Sequence, residues 1–98
     1  MSDDQREGFV TLLCAELEKI GACEENCDIE LQKGPIIETV GKTMSDAFKS
    51  HSEGTHSEKL QFARDVISRV VENLIDSDTP DAVIKLIMEY ALNNLGGM

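Results

Sequence analysis

The sequence has few aromatic residues and no tryptophan. Phe, Trp and Tyr together make up 4% of its 98 residues. A hydrophobic core must therefore be built from Leu, Ile, Val, Ala and Met side chains. We expect this aliphatic composition to favour helices over a sheet, because strands usually draw on Tyr, Phe, Trp and Thr.

Basic residues are also scarce. Nine Lys and Arg stand against 19 Asp and Glu, which gives a formal net charge of −10 and a pI near 4.4. Such a chain repels phosphate backbones and anionic lipid headgroups, so we expect neither nucleic acid nor a membrane surface as a partner. A charged protein partner should instead present a basic or mixed surface. The simpler interpretation is that the acidity serves solubility alone.

The sequence contains no apolar run near the ~20 residues that a membrane-spanning helix requires. Its first residues, Met1 to Asp4, are acidic, whereas a secretory leader has a basic region followed by an apolar one. We therefore expect a cytoplasmic protein. In that reducing environment its three cysteines, Cys14, Cys23 and Cys27, should be free thiols.

Motifs of covalent catalysis are missing from the sequence. It contains no Gly-x-Ser-x-Gly, no Ser-x-x-Lys and no phosphate-binding glycine loop. The glycines Gly96 and Gly97 follow a helical pattern and have no strand before them, which is typical of a helix stop. We therefore expect a protein that is not an enzyme and that carries no cofactor.

Apolar residues recur at helical spacing in four segments. The first predicted helix runs from about Asp3 to Ile20 and ends at Gly21, a residue that favours helix termination. From Ala22 to Gly34 the apolar residues follow no clear period. Three structures are compatible with this irregular segment: a short strand-like piece, a 3₁₀ piece, or one turn of helix capped by Asp28.

The second helix is predicted to begin at Pro35, since proline is favoured at the first helical position. Gly41 lies on the edge of its apolar stripe, although a glycine inside a helix costs about 1 kcal/mol relative to alanine. Its position indicates that a neighbouring helix comes close at that point.

Capping signals mark the beginnings of the last two helices. Thr55 and Glu58 form a capping box ahead of the third helix, which should extend to about Ile75. The fourth should begin with Thr79 as its N-cap and Pro80 at its first position. At about 100° per residue, apolar side chains cover roughly 220° of the third helix and roughly 240° of the fourth.

These patterns predict an all-α fold in which residues 1–98 form one domain. Four main helices should pack in an orthogonal or up-and-down bundle, with an irregular segment between the first two. The third and fourth helices should form the centre, covered by the first and second. The expected shared core consists of residues near the middle of each apolar arc: Leu13, Leu17, Val40, Ile67, Val71, Ile87 and Ala91.

The wide apolar arcs of the last two helices also predict a surface that the first two helices leave uncovered. Contiguous apolar patches of more than a few hundred Å² are rare on monomers. We therefore expect a homodimer that buries this surface on itself, and a function as a non-enzymatic protein–protein interaction module, an adaptor or regulator. The candidate interface residues are Val66, Val70, Ile84, Met88 and Leu92.

Two alternatives from other functional classes stay open. The spacing Cys23-x₃-Cys27, with Cys14 upstream, is permitted for zinc, and His51 or His56 would supply a fourth ligand. The same cysteines define a thiol-redox alternative, although no Cys-x-x-Cys motif and no βαβ pattern support it. The plainer interpretation is one half-buried helical cysteine, two loop thiols and two solvated histidines.

The second alternative is an acidic mimic of nucleic acid that occupies the groove of a basic protein. It would need carboxylates arrayed on one face at roughly phosphate spacing.

Overall fold

The computed structural model describes the backbone of residues 2–51 and 53–97, and the side chains of residues 4–51, 53–91 and 93. Within these ranges the chain forms four helices and no strand, which confirms the predicted fold class. The helices are α1 (Ser2–Lys19), α2 (Ile29–Ser50), α3 (His56–Asp76) and α4 (Asp81–Gly97). None of them, over the described residues, combines the length and the apolar content that a bilayer crossing requires.

The helices pack in a four-helix bundle whose centre differs from the expected one. α2 and α3 contact each other, and α1 and α4 each contact both of them, but α1 and α4 do not approach one another in the described chain. The pair at the centre is therefore α2 and α3, with α1 and α4 on opposite sides. The prediction that α3 and α4 form the centre was right for α3 and wrong for α4, because α2, like α3, contacts all three other helices.

α1 ends as its sequence predicts. Gly21 has φ 79°, and the hydrogen bonds on either side of it form a Schellman motif. The N–H of Ala22 donates to the carbonyl of Leu17 at 3.0 Å, and the N–H of Gly21 donates to the carbonyl of Glu18 at 3.1 Å. Leu17 and Ala22 are both buried, so this turn also joins the core.

α2 begins at Ile29, well before Pro35, which corrects the predicted start. The Asp28 side chain caps the helix by accepting a hydrogen bond from the Leu31 N–H at 3.3 Å. Pro35 lies inside the helix, where it has no N–H to donate to the carbonyl of Leu31. This loss is tolerated because both residues are exposed. The irregular connection therefore covers residues 20–28, and the helical turn capped by an aspartate is the correct alternative.

α3 begins with the predicted capping box. The Glu58 N–H donates to Thr55 Oγ1 at 3.2 Å, and the Thr55 N–H donates to Glu58 Oε1 at 3.3 Å. At the other end of α3, Asp78 takes the left-handed conformation, with φ 60°. The Thr79 N–H then donates to the carbonyl of Leu74 at 3.1 Å.

α4 begins at Asp81, and Thr79 is not its N-cap. The Thr79 N–H belongs to the turn that ends α3, which carries its side chain into the protein, where it is buried beside Cys23. The carbonyl of Pro80 accepts from the N–H groups of Val83 at 3.0 Å and Ile84 at 3.3 Å. Pro80 is therefore the residue before the helix rather than its first residue.

The core lies between α2 and α3 and the inner faces of the outer helices. Six of the seven predicted core residues are buried, and Val71 is partly buried and packs against them. The expected close approach at Gly41 is also confirmed. A Cβ built on Gly41 would lie 2.8 Å from the Tyr90 hydroxyl oxygen of α4. The buried predicted residues are Leu13, Leu17, Val40, Ile67, Ile87 and Ala91.

Candidate functional site

Two of the predicted interface residues belong to the core of the single chain. Val66 and Val70 are fully buried, because α1 and α2 both cover α3. They cannot contribute to a surface between folded chains, so their assignment to an interface was wrong. Met88 is exposed on α4, and Ile84, which is buried, lines the same surface groove. The side chain of Leu92 lies outside the described residues.

A shallow apolar groove runs between the C-terminal end of α3 and α4; we call it the α3–α4 groove. Ile75, Ile84 and Met88 form its apolar lining, and its volume is about 400 Å³. Ile75 is 58% exposed and Met88 is 45% exposed, whereas Ile84 is nearly buried. These side chains present a contiguous apolar surface to solvent, with Ile84 as its floor.

Local sequence features bring the lining residues of the α3–α4 groove together. Ile84 and Met88 are one helical turn apart and therefore lie on the same face of α4. Ile75 comes from the last turn of α3, and the tight turn at Asp78 reverses the chain so that α4 passes beside it. The sequence placed Ile75 on the apolar arc of α3 but not at the interface. The signal in the sequence is the position of Ile75 in the last turn of α3, where neighbouring helices cover a side chain less completely.

The rim of the α3–α4 groove carries charges of both signs. Asp81, Lys85 and Glu89 follow one another at intervals of one turn along α4 and line the groove. No ion pair within 4.0 Å involves any of them among the residues that the structure describes. All three side chains are exposed and are available for ion pairs with another molecule.

The three cysteines lie near one end of the bundle and are half-buried free thiols. Burial raises the pKa of Cys14 above its ordinary value, and Asn73, whose Nδ2 lies 3.9 Å from the Cys14 Sγ, lowers it in part. Burial also raises the pKa of Cys23, with a smaller opposite effect from Thr79, and it raises the pKa of Cys27. A raised pKa leaves little thiolate at neutral pH, which disfavours both nucleophilic chemistry and metal binding.

The two histidines lie at the opposite end. Cys27 precedes the first residue of α2 and His51 follows its last, and 22 helical residues span about 33 Å. The five residues of the zinc alternative therefore do not form one ligand set. Among the side chains of residues 4–51, 53–91 and 93, no group of three or more His, Cys, Asp or Glu is placed to hold a metal ion.

Both histidines contact phenylalanines; His56 is solvated as expected, whereas His51 is not. His51 is half-buried and stacks on Phe62, with ring centroids 5.3 Å apart and an interplanar angle of 18°. His56 is exposed but meets Phe48 edge to face at 5.5 Å. Both rings therefore hold the α2–α3 connection against the bundle.

Comparison of the chain with protein-family models, with curated proteins and with solved structures finds no match. The functional interpretation therefore depends on the surfaces of the fold, among them the apolar α3–α4 groove.

Proposed function

We propose that the protein is a small acidic, non-enzymatic interaction module, an adaptor or regulator, that forms a homodimer through the α3–α4 groove. The observation that supports this proposal is the pair of large, half-exposed apolar side chains, Ile75 and Met88, on either side of Ile84. We further propose a cytoplasmic location, supported by three cysteines that are free thiols.

The size of the apolar effect indicates what the groove contributes to a dimer. Complete burial of an Ile or Met side chain yields about 1.5–3 kcal/mol, so covering the exposed half of each yields about 1 kcal/mol. In a two-fold interface the same side chains are buried on both chains, so each contributes this free energy twice. The groove therefore contributes about 4 kcal/mol of apolar burial to a dimer.

The charge pattern of the rim favours a second copy of the chain as the occupant. In a two-fold interface the same surface faces itself, so each group must find its complement on an identical rim. If two α4 helices pack antiparallel, Lys85 of one chain faces Asp81 or Glu89 of the other. The rim has two acids and one lysine, so two facing rims each carry only one net negative charge and repel one another weakly.

Sedimentation equilibrium at micromolar concentration tests the dimer. The substitution Met88→Glu places a carboxylate in the groove and should give a monomeric mass. Leu31→Glu makes the same change at a 71% exposed position in the first turn of α2, outside the groove, and should leave the dimeric mass unchanged. A monomeric wild-type protein, or equal effects of both substitutions, contradicts the proposal.

Ion pairs within α3 and between α1 and α3 favour this proposal over the acidic mimic of nucleic acid. Arg69 Nη2 lies 2.8 Å from Glu7 Oε1, and Arg69 Nη1 lies 3.8 Å from Glu72 Oε2. Arg6 Nη1 lies 3.9 Å from Asp65 Oδ2 on the same pair of helices. Arginines thus alternate with acids there, whereas a mimic needs carboxylates alone at phosphate spacing.

A further inference from the structure

A second groove runs between α1 and α2; we call it the α1–α2 groove. Its volume is about 300 Å³. α1 and α4 flank the central α2–α3 pair on opposite sides, so the α1–α2 groove and the α3–α4 groove lie at opposite edges of the bundle. An occupant of one groove therefore leaves the other accessible.

The α1–α2 groove has one apolar anchor. Leu12 lines it and is 51% exposed, although the next residue, Leu13, is fully buried in the core. Thr43 of α2 also lines the groove and is itself buried. A large aliphatic side chain is thus left half-solvated in a concave site, where a partner side chain of matching size would gain by covering it.

The charges of the α1–α2 groove are predominantly negative. Glu38, Lys42 and Asp46 follow one another at intervals of one turn along α2 and line the groove. No ion pair within 4.0 Å engages them among the described residues. Glu16 contributes a third carboxylate from α1 and is partly neutralised by Lys19 Nζ at 3.5 Å.

We propose that the α1–α2 groove binds a short basic amphipathic helix of another protein. A partner helix can lie along a groove between two helices, with one apolar side chain packed on Leu12 and basic side chains beside the carboxylates. Glu38 and Asp46 are eight residues apart in sequence, which corresponds to about 12 Å along α2. Two basic residues eight positions apart on the partner helix match this spacing.

The negative charge of the α1–α2 groove favours a basic helix over an acidic occupant. Nucleic acid and anionic lipid would each place negative charge beside Glu38 and Asp46. A second copy would face three carboxylates and one lysine with the same set, whereas the α3–α4 groove has two carboxylates and one lysine. A basic helix gains from the same field, both at the groove and from the net charge of −10. The inference does not require the homodimer, since the two grooves are separate surfaces.

A model peptide tests the proposal. The probe is a capped, alanine-rich helical peptide with two lysines eight positions apart and a leucine midway between them, measured by fluorescence anisotropy at low salt. The double substitution Glu38→Gln, Asp46→Asn should weaken its binding about tenfold, through two exposed charge pairs. Leu12→Gln should weaken it about fivefold, through the lost apolar contact.

Matched controls separate the groove from the overall charge. Glu25→Gln with Asp76→Asn removes the same two kinds of charge at exposed positions outside the groove, and Leu31→Gln removes an exposed leucine there. These variants should bind the peptide within about twofold of the wild type. Circular dichroism establishes that every variant is folded.

Three results would overturn the proposal. Equal losses in the groove variants and their controls would leave only a general charge effect. Equal binding of a peptide with glutamates in place of its two lysines would remove the charge selection. A change in sedimentation mass on Leu12→Gln would show a second copy in this groove. Met88→Glu should bind the peptide normally, so failure of the homodimer is distinguishable from failure of this inference.

Discussion

At the scale of single residues, His51 shows how one side chain joins a connection to the core. Its imidazole stacks on Phe62, which is buried, and also lies over Gly54. A Cβ on Gly54 would lie 2.8 Å from His51 Nε2 and closer still to its Cδ2, a separation that real Cβ atoms avoid. The glycine is therefore required here by close packing.

The substitution Gly54→Ala should reduce the free energy of unfolding by about 1–3 kcal/mol, the usual cost of overpacking. Chemical denaturation followed by circular dichroism measures the change. In a His51→Ala background the same substitution should cost less, because the ring that it displaces is gone. An equal cost in both backgrounds would assign the effect to the loop backbone instead of the imidazole.

The three thiols make the stability sensitive to alkaline pH. Burial raises the pKa of each above its ordinary value of 9.0. As the pH rises above about 9, the unfolded chain releases thiol protons that the native chain still holds, so the free energy of unfolding should fall. Below that pH the thiols are protonated in both states, so they do not make the free energy of unfolding depend on pH. Urea unfolding at increasing pH measures the slope. Replacing all three cysteines by serine should make the decline shallower, and an unchanged slope would exclude the thiols as its cause.

At the scale of helices, α1 and α3 end with the same hydrogen-bond pattern but with different residues in the left-handed position. Gly21 occupies it after α1, with φ 79°, and Asp78 occupies it after α3, with φ 60°. A residue with a Cβ is strained in this conformation, and Asp78 also places a negative charge at the negative end of the helix dipole.

The substitution Asp78→Gly should therefore raise the free energy of unfolding by about 0.5–1 kcal/mol. Asp76→Gly is the matched control, since it removes the same side chain two residues earlier. Asp76 belongs to α3, where glycine costs about 1 kcal/mol. Thermal unfolding of both variants decides the matter, and a loss of stability in both would contradict the assigned strain.

The helices were predictable where local signals agreed with one another. The glycine stop at Gly21 and the capping box at Thr55 each depend on residues within one turn, so sequence alone defines them. The start of α2 was missed because Pro35 outweighed the weaker signal of Asp28, which does cap the helix. Thr79 has the side chain of an N-cap, but the turn that ends α3 had already fixed its orientation.

At the scale of the whole molecule, the arrangement of helices determines which apolar faces remain exposed. The sequence shows how wide an apolar arc is but not which helices cover it, so Val66 and Val70 were assigned to the surface although α1 and α2 bury them. Placing α2 at the centre leaves α1 and α4 on opposite sides. A homodimer through the α3–α4 groove would then hold two α1–α2 grooves open, and a partner with two basic helices would gain by avidity.

Charge exchange across the α3–α4 groove tests the central claim most directly. Lys85→Glu makes the rim entirely acidic, and Asp81→Lys with Glu89→Lys makes it entirely basic. Each variant alone should sediment as a monomer, because identical rims repel, whereas an equimolar mixture should sediment as a heterodimer with Ile75, Ile84 and Met88 buried between the chains. A mixture that stays monomeric, or either variant alone forming dimers as readily as the wild type, would contradict the account.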